Sequence, residues 1–544
     1  MQGLMMDRPL LISSIIEYAA RHHRSARVVS WLPEGGSRRS TYQEIRDRAL
    51  RLASALQGEL RISPGDRVAT LAWNDARHLE LYYAISGMGA VCHTINPRLS
   101  DDQICYIVNH ARDRVLFADP GFLPLIDRLR ARLQPLAEIV LMTGRDGMPA
   151  GRSGFRAYEE VLEAGDAGYV WPEFDERTAS GLCYTSGTTG TPKGTLYSHR
   201  STVLHSLATA LPSGLHLAPS DVVLPVVPMF HVNAWGLPYT CPLIGTGLVM
   251  PGPRLDGPSL FQQLEAEGVT FSAGVPTVWR GLLAYLRESG ERPSTLARVV
   301  IGGSSAPPAM IRAFEEEFGI EVIHGWGMTE MSPVGTIGGL PPHLAARPAE
   351  ERFRIKEKQG RPIYGCEIKI VNERGERVAE DGRTSGVLMV RGPWVTSGYY
   401  EDAAAGQGAF DADGWFSTGD VATIDADGFM HITDRAKDMI KSGGEWISSI
   451  DLENAAMAHP DVAEAAVVGV PHPKWDERPL LVVVPRAGAA IDRDALLGFL
   501  AGKVAKLWLP DDVVMVDQLP LTATGKVRKA TLRERYKDYR LPTA

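Results

Sequence analysis

The chain has 544 residues, of which 44% are hydrophobic and 22% are charged. This exceeds what one hydrophobic core needs, because cores usually divide into domains beyond about 250–300 residues. We therefore expect at least two domains. The 57 basic and 65 acidic residues give a net charge of −8, which disfavours a nucleic-acid-binding protein.

The five cysteines are scattered and form no C-x-x-C pair. This argues against a disulfide framework or a zinc site and fits a reducing compartment. The apolar stretch 10–16 is short and runs into charged residues, so it predicts an amphipathic helix rather than a signal peptide. No apolar run reaches the roughly 20 residues of a membrane span. We expect a cytoplasmic protein without a transmembrane segment.

The first two thirds of the chain alternate strand and helix patterns. Strand patterns cover residues 67–73, 114–119, 269–273 and 298–301, and helical patterns cover 75–87, 101–111 and a segment that begins at Pro276. Short apolar runs separated by helices are typical of layered α/β folds with buried, largely parallel strands. The sequence therefore predicts an α/β fold built from layered subdomains.

The pattern changes from about Gly386. Short β-like runs follow, separated by expected turns at Asp413-Gly414, Gly419-Asp420 and Asp427-Gly428, which predicts a β-rich subdomain. Beyond residue 437 another α/β pattern begins, with strands at 463–470 and 480–484 and a helix at 492–506. We predict an N-terminal domain over 1–434, a hinge at 435–437 and a small C-terminal domain over 438–544.

Residues 184–194 read Tyr-Thr-Ser-Gly-Thr-Thr-Gly-Thr-Pro-Lys-Gly. The glycines permit backbone angles that other residues avoid, and successive backbone N–H groups in such a loop can form an anion-binding nest. Five hydroxyls and Lys193 add further donors, so the loop suits a triphosphate. It is not a Walker A loop, because no G-x-x-x-x-G-K-[ST] pattern occurs. The alternative is a polar surface loop.

This ordered string resembles the signature loop of the adenylate-forming superfamily, which includes acyl-CoA and aryl-CoA synthetases, peptide-synthetase adenylation domains and luciferases. Further motifs follow in that family's order over nearly the whole chain. The resemblance implies an AMP-forming acyl-CoA synthetase that uses ATP, Mg²⁺, coenzyme A and a small carboxylic acid. It also implies a mobile α/β C-terminal domain and, for the fatty-acyl branch, a homodimer.

The second motif, residues 324–330, reads His-Gly-Trp-Gly-Met-Thr-Glu. Trp326 can stack on adenine, Thr329 can donate to a phosphate oxygen, and Glu330 offers a hard oxygen ligand for Mg²⁺. Relatives more often have Tyr in place of Trp326. The resemblance assigns the ATP site to Thr185, Ser186, Gly187, Thr188, Thr189, Gly190, Lys193, Gly302, Ser304, Gly325, Trp326, Gly327, Met328, Thr329, Asp420 and Arg435.

Three charged residues complete the predicted nucleotide chemistry. By resemblance, Asp420 accepts hydrogen bonds from the ribose hydroxyls and Arg435 contacts ribose or phosphate. Lys526, in the final motif, bridges the attacking carboxylate and the α-phosphate. Taken singly, Asp420 could belong to an ordinary turn and Lys526 to a solvated tail, and the motif order carries their assignment. The catalytic set is Lys526, Glu330, Thr185 and His231.

A glycine-containing loop follows the hinge and resembles the channel for the pantetheine arm of coenzyme A. The assigned residues are Lys441, Ser442, Gly443, Gly444, Glu445 and Trp446. The alternative is an ordinary strand–turn before a helix that begins near Asp451. By resemblance, the C-terminal domain turns about Lys437, withdraws Lys526 and presents this loop. Lys474 to Glu477 departs from the Trp-Gly-Glu of relatives, and its role is open.

Residues 226–236 are largely apolar and resemble the acyl-pocket motif of fatty-acyl-CoA synthetases, in which a tryptophan gates the acyl channel. The assigned acyl residues are His231, Trp235, Gly302, Gly303, Gly327, Met328 and Pro333. Amino-acid-activating relatives carry an Asp in this pocket, and its absence disfavours a substrate with a buried ammonium. Trp235 could equally be core packing, and His231 a structural histidine.

The expected substrate is a short- or medium-chain fatty or thioether acid, because Trp235 could close a short pocket and a thioether suits Met and aromatic neighbours. The best single candidate, by resemblance, is 3-methylmercaptopropionate. The alternatives are a long-chain fatty-acyl-CoA ligase, and an acyl-AMP ligase that serves a carrier protein. A hydrolase or dehydrogenase is disfavoured because neither G-x-S-x-G nor H-E-x-x-H occurs. A non-catalytic ATP sensor stays open.

Overall fold

Residues 1, 3–134, 136–150, 154–185, 191–443, 445–522 and 526–544 are described by a computed structural model. The strands are β1 Arg27–Trp31, β2 Ser37–Thr41, β3 Arg67–Leu71, β4 Val91–Thr94, β5 Val115–Ala118, β6 Glu138–Leu141, β7 Arg156–Ala157, β8 Ala179–Tyr184, β9 Gly194–Ser198, β10 Val222–Pro225, β11 Gly247–Met250, β12 Phe271–Gly274, β13 Arg298–Ile301, β14 Glu321–Gly327, β15 Val334–Ile337, β16 Arg361–Pro362, β17 Glu367–Val371, β18 Gly386–Arg391, β19 Phe416–Ile424, β20 Met430–Arg435, β21 Ile440–Ser442, β22 Glu445–Ile447, β23 Val462–His472, β24 Asp476–Pro485 and β25 Asp512–Met515.

The helices lie between these strands and cover their faces. They are α1 Ile12–His22, α2 Tyr42–Gly58, α3 Ala76–Gly87, α4 Asp101–Ala111, α5 Leu123–Leu129, α6 Tyr158–Glu163, α7 His199–Ala210, α8 Leu237–Ile244, α9 Gly257–Glu267, α10 Pro276–Ser289, α11 Pro308–Arg312, α12 Pro342–Ala345, α13 Ala349–Lys356, α14 Ala403–Gly406, α15 Ser449–Met457, α16 Arg493–Ala501 and α17 Lys529–Tyr536. None of the helices in the described ranges combines the length and hydrophobicity that a membrane-spanning helix needs.

Two large sheets dominate the N-terminal part. One has the strand order β16-β15-β14-β13-β12-β10-β11-β1-β2, and the other has the order β7-β6-β5-β3-β4-β8-β9. Their central strands pair in parallel, as in β12 with β13 and β3 with β4, whereas β8 with β9 and β14 with β15 are antiparallel. The predicted α/β class with buried parallel strands is confirmed.

Local signals explain several element boundaries. The Asp75 carboxylate accepts a hydrogen bond from the His78 backbone N–H and caps α3, which begins at Ala76. The strand predicted over 67–73 ends at Leu71, and the Trp73 N–H donates to the Asp119 side chain instead of to a strand partner. Pro276 occupies the first turn of α10, where its missing N–H costs nothing. The helix predicted over 492–506 ends at Ala501, because Gly502 disfavours continuation.

The β-rich subdomain is the four-stranded antiparallel sheet β17-β18-β19-β20. The expected turn at Gly419-Asp420 is wrong, because both residues lie inside β19. Gly419 has a φ of +74°, which a glycine adopts without steric cost. In this strand pair Asp420 is the direct partner of Arg435, the last residue of β20. The antiparallel register therefore brings two predicted nucleotide-binding residues side by side.

We call residues 438–544 the lid. Its sheet has the order β22-β21-β24-β23, with β25 parallel to β24, and it carries a hydrophobic cluster on each face. Every member of those clusters lies at or beyond Ile440, so the lid has its own core. This agrees with the predicted division at 435–437, which stays a prediction.

Candidate active site

The phosphate loop connects two antiparallel strands. Tyr184 at the end of β8 pairs with Gly194 at the start of β9, and the Thr185 N–H donates to the Lys193 carbonyl at 2.9 Å. These bonds hold the two ends of the loop together. The predicted phosphate-binding residues between them, Ser186, Gly187, Thr188, Thr189 and Gly190, lie outside the described residues.

Glu330 lies in a 3₁₀ turn after β14 and is 7% exposed. The Tyr399 hydroxyl donates to Glu330 Oε1 at 2.9 Å, and Lys193 Nζ lies 4.9 Å from the centroid of the Tyr399 ring. Burial raises the pKa of Glu330, while the Tyr399 hydrogen bond and the charges of Arg435 and Lys193 oppose that rise. A buried carboxylate beside the phosphate loop is suited to bind a cation.

Asp420 is held by two donors. The Trp326 indole N–H donates to Asp420 Oδ2 at 2.9 Å, and Arg435 Nε lies 3.4 Å from Oδ1. Trp326 is buried, and a Cβ added at Gly335 would lie only 2.9 Å from the indole ring. Trp326 therefore orients the carboxylate of Asp420, the predicted ribose-binding residue, through its indole N–H. Its predicted stacking on adenine stays a prediction.

The lid places Lys526 at this site. The Thr522 N–H donates to the Lys526 carbonyl at 2.7 Å, and the Lys526 N–H donates to Thr522 Oγ1 at 3.1 Å, so the loop is closed at its base. Burial and the positive charge of Arg435 lower the pKa of Lys526, the negative charges of Asp420 and Glu330 oppose them, and the net pKa is about 8.

Lys526 also affects the pKa of the predicted acyl residue His231. Burial and, to a smaller extent, the positive charge of Lys526 together lower the pKa of His231 to about 4. His231 is therefore neutral near pH 7. The structure thus brings a lysine of the lid, the nucleotide carboxylates and a histidine of the acyl motif into one electrostatic neighbourhood, although they are far apart in the sequence.

Trp235 lies against the end of β13. A Cβ added at Gly302 would be 3.0 Å from the Trp235 ring, and one at Gly303 would be 3.7 Å from it. Gly303 also has a φ of +81°, and its added Cβ would lie 3.1 Å from Val275. Glycine at 302 lets the indole approach the backbone, whereas glycine at 303 is favoured by its positive φ and by the nearby Val275. Trp235 therefore covers the predicted acyl wall.

The segment that carries Trp235 has an unusual backbone. Val232, Asn233, Ala234 and Trp235 have φ values of +48°, +52°, +46° and +57°, followed by Gly236 at +81°. A left-handed turn costs roughly 1–2 kcal/mol per non-glycine residue. Such strain persists only where the surroundings hold it in place. The sequence offers no signal for this turn.

Two neighbours hold the left-handed turn. The Tyr82 hydroxyl donates to the Met229 carbonyl at 2.5 Å and also lies 3.0 Å from Asn233 Oδ1. His205 contacts Gly236, where an added Cβ would lie 2.9 Å from its ring, and its Nε2 accepts the Val334 N–H at 3.0 Å. Burial lowers the pKa of His205 to about 3, so it is a neutral acceptor.

The remaining acyl residues form a tight backbone contact. A Cβ added at Gly327 would lie 2.1 Å from the Pro333 carbonyl oxygen, which also accepts the Met328 N–H at 3.1 Å. Gly327 must therefore be a glycine for β14 to turn at this point. Two other predicted ATP residues lie nearby: Gly325 pairs with Ile337 of β15, and Ser304 is exposed beyond β13.

The predicted coenzyme A loop lies in the lid and follows the hinge. Gly443 has a φ of +60°, donates its N–H to the Trp475 carbonyl, and would clash with the Trp475 ring if it carried a Cβ. Trp475, to which the sequence assigned no role, therefore packs beneath the loop. Ser442 is buried and accepts from Arg478 Nη1 at 3.1 Å, so its hydroxyl is engaged inside the lid.

The outer residues of that loop face solvent. Trp446 is 45% exposed, and Lys441 Nζ lies 5.7 Å from its ring centroid. Glu445 and the hinge residue Lys437 are exposed as well. Gly444 lies outside the described residues. In this arrangement Lys526 occupies the site, while the assigned coenzyme A loop presents its side chains at the lid surface.

Sequence reasoning missed four residues that shape this site. They are Tyr399 beside Glu330, His205 and Tyr82 beside the left-handed turn, and Tyr197, whose hydroxyl donates to the Thr329 carbonyl at 2.7 Å. Each acts through a contact to a residue distant in sequence. A single buried tyrosine or histidine carries no pattern of its own, so no sequence signal distinguishes these side chains from ordinary core residues.

Comparisons with known proteins agree with this geometry. The family model described as AMP-binding enzyme matches residues 16–400, and the model of the AMP-binding enzyme C-terminal domain matches residues 451–526. The chain is 53% identical over 539 residues to a 3-methylmercaptopropionyl-CoA ligase of Ruegeria pomeroyi, with 99% of each chain covered.

Two further comparisons identify similar proteins, one by sequence and one by structure. The chain is 51% identical over 539 residues to a medium-chain-fatty-acid–CoA ligase of Ectopseudomonas oleovorans, covering 99% of this chain and 98% of that one. It superposes on the crystal structure of an anthranilate CoA ligase in complex with anthranoyl-AMP with a TM-score of 0.85, at 25% identity and 98% coverage of both chains.

Proposed function

The chain belongs to the AMP-binding enzyme family, and on that premise we propose that it is an ATP-dependent acyl-CoA synthetase. It converts a carboxylic acid and ATP into an acyl adenylate and pyrophosphate, then transfers the acyl group to coenzyme A and releases AMP. Its named relatives that cover nearly the whole chain are ligases of this kind.

The observation that carries this proposal is the position of Lys526. Its ammonium lies within electrostatic reach of Asp420, Glu330 and Arg435 on the nucleotide side and of His231 on the acyl side. A cation at that junction can neutralise charge on a substrate carboxylate and on an α-phosphate together. This is what adenylate formation needs, because two anions must otherwise approach each other.

In the first step, a carboxylate oxygen of the acid attacks the α-phosphorus of ATP, and the bond to the β-phosphate bridge breaks to release pyrophosphate. Asp420 accepts hydrogen bonds from ribose, and Trp326 and Arg435 hold that carboxylate in place. Thr185 and Lys193, at the base of the phosphate loop, hold the polyphosphate. Glu330 is the residue that would hold Mg²⁺, which neutralises polyphosphate charge when bound.

In the second step, the coenzyme A thiolate attacks the acyl carbon and AMP leaves. We propose that the lid turns about Lys437 for this step, withdraws Lys526 and presents the loop around Gly443. The electrostatic interaction of Lys526 with Asp420 and Glu330 supports assigning this lid orientation to adenylate formation. Because the lid alternates between two orientations, different residues contact the same acyl carbonyl in each of the two steps.

The substrate we propose is a short- or medium-chain acid, with 3-methylmercaptopropionate as the best single candidate. Trp235 lies against Gly302 and Gly303 on the predicted acyl wall, and we propose that it limits the depth of the acyl site. The relatives named above act on a thioether acid and on medium-chain fatty acids. We further propose a cytoplasmic homodimer, as is common in the fatty-acyl branch.

The test is pyrophosphate release from ATP and Mg²⁺ with 3-methylmercaptopropionate, butyrate, octanoate and palmitate, each with and without coenzyme A. We expect acid-dependent release that is fastest with the first three acids, and thioester only when coenzyme A is present. A clear preference for palmitate would refute the short-pocket proposal. AMP release that does not depend on coenzyme A would favour a ligase that serves a carrier protein. The absence of acid-dependent pyrophosphate release would favour an ATP sensor.

A second prediction concerns the Tyr399 hydroxyl. Tyr399→Phe keeps the ring beside Lys193 but removes the donor to Glu330, and a hydrogen bond to a charged group contributes about 1.5–3 kcal/mol. Without it the Glu330 carboxylate is protonated more readily and holds a cation less well. We expect the Mg²⁺ concentration for half-maximal pyrophosphate release to rise about tenfold. Tyr400→Phe is the matched control, and an equal shift there would contradict the assignment.

A further inference from the structure

Among the ion pairs of the described residues, one joins the lid to the N-terminal domain at a point remote from the hinge in sequence. Arg280 Nη1 on α10 lies 2.6 Å from Glu464 Oε1 on β23, and the side chains are 40% and 31% exposed. Other described ion pairs of the lid, such as Lys529 with Glu453 and Arg478 with Asp511, join two lid residues.

The helix that carries Arg280 also belongs to the acyl site. Its first residue, Pro276, follows Val275, which lies against Gly303 on the acyl wall. The preceding side chain, Trp279, is fully buried and donates its indole N–H to the Val300 carbonyl at 3.2 Å. Arg280 is thus attached to a rigid part of the pocket, one helical turn from the wall that the acyl chain would touch.

The position of Glu464 in the lid is equally fixed. It pairs with Val484 in the long β23–β24 ladder of the lid sheet. The neighbouring Ala465 and Ala466 are buried in the two lid clusters. Because the lid has its own core, Glu464 and Lys526 move together when the lid turns. A contact that holds Glu464 in this position therefore also holds Lys526 in the site.

We propose that Arg280 and Glu464 are positioning residues for adenylate formation: their ion pair holds the lid in the orientation that keeps Lys526 beside Asp420 and Glu330. The pair is made on the acyl-site helix in this orientation and must separate when the lid turns to admit the coenzyme A thiol. This inference rests on the proposed two-step function. It implies that the ion pair helps to set the relative rates of adenylate formation and thioester formation.

The test measures each half-reaction separately in the full-length enzyme. Adenylate formation is followed as pyrophosphate release in a single turnover without coenzyme A, and thioester formation is followed from preformed acyl adenylate. Partly exposed ion pairs contribute little, so Glu464→Gln and Arg280→Gln are expected to slow adenylate formation about two- to fivefold. Thioester formation should be unchanged or faster, because its orientation does not use the pair.

The charge-swapped double variant Arg280→Glu with Glu464→Arg restores the ion pair and is expected to recover most of the adenylation rate. Arg287→Gln is the matched control, because Arg287 lies on the same helix but pairs with Glu317 inside the N-terminal domain. It should leave both half-reactions unchanged.

Other outcomes would overturn the inference. They are equal slowing of both half-reactions in the single variants, no change in either, or a double variant no faster than the single variants. If the wild-type enzyme itself released no pyrophosphate with any acid, the proposed function would fail, and this result is distinguishable because it precedes any comparison of variants.

Discussion

Replacing Lys526 by alanine is expected to slow acyl-adenylate formation about 10²–10³-fold, while thioester formation from preformed adenylate stays near the wild-type rate. The magnitude is typical for removing a charge-stabilising group aimed at a transition state. The asymmetry follows from geometry, because Lys526 is in the site when the nucleotide residues are assembled and is withdrawn, in our proposal, when coenzyme A enters.

The same lysine should set a pH dependence. Its cationic form is the one that bridges two anions, and its pKa is lowered to about 8, chiefly by burial. The protonated fraction of free enzyme falls from about 90% at pH 7 to about 10% at pH 9, so kcat/KM for adenylation should fall over that range. Bound ATP favours the cation, so kcat should fall at higher pH than kcat/KM does.

Two variants make the measurement decisive. Lys526→Arg keeps a charge that does not titrate in this range, so whatever activity it retains should lose the fall above pH 8. Lys503→Ala removes an exposed lysine elsewhere on the lid and should change nothing. If Lys526→Ala slowed both half-reactions equally, Lys526 would be a structural residue of the lid rather than an adenylation residue.

Replacing Trp235 by alanine is expected to move the substrate preference toward longer acids. The indole lies on the backbone of Gly302 and Gly303, so its removal lengthens the acyl site. Each methylene that gains burial contributes about 0.8 kcal/mol. The ratio of kcat/KM for octanoate over butyrate should therefore rise by at least about tenfold, with butyrate itself losing activity because its contact with the ring is gone.

Trp235→Phe provides the graded control, since it retains an aromatic ring and should shift the preference only slightly. His205→Ala removes a support of the left-handed turn that carries Trp235, so it should shift the preference in the same direction as Trp235→Ala but less far. An unchanged chain-length ranking in Trp235→Ala would mean that the residue is core packing, which is the alternative that the sequence left open.

Much of the site was visible in the sequence because its elements are local. The phosphate loop, the motif around Glu330 and the strand ends at Gly302 are short strings whose chemistry depends on neighbouring residues. The predicted family is confirmed by family models over residues 16–400 and 451–526, and the parallel strands followed from apolar periodicity. Segment boundaries such as the ends of β3 and α16 were less well predicted, because caps and single glycines decide them.

The sequence by itself determined the fold class and the family, and it supplied the motifs from which the nucleotide residues and Lys526 are proposed. Only the tertiary structure decided which distant groups meet. The β19–β20 register sets Asp420 beside Arg435, and the left-handed turn lays Trp235 on Gly302. Tyr399 reaches Glu330, and Arg280 reaches Glu464 across the domain boundary. Such contacts depend on packing between elements far apart in the chain, so the local secondary-structure propensities of the sequence do not predict them.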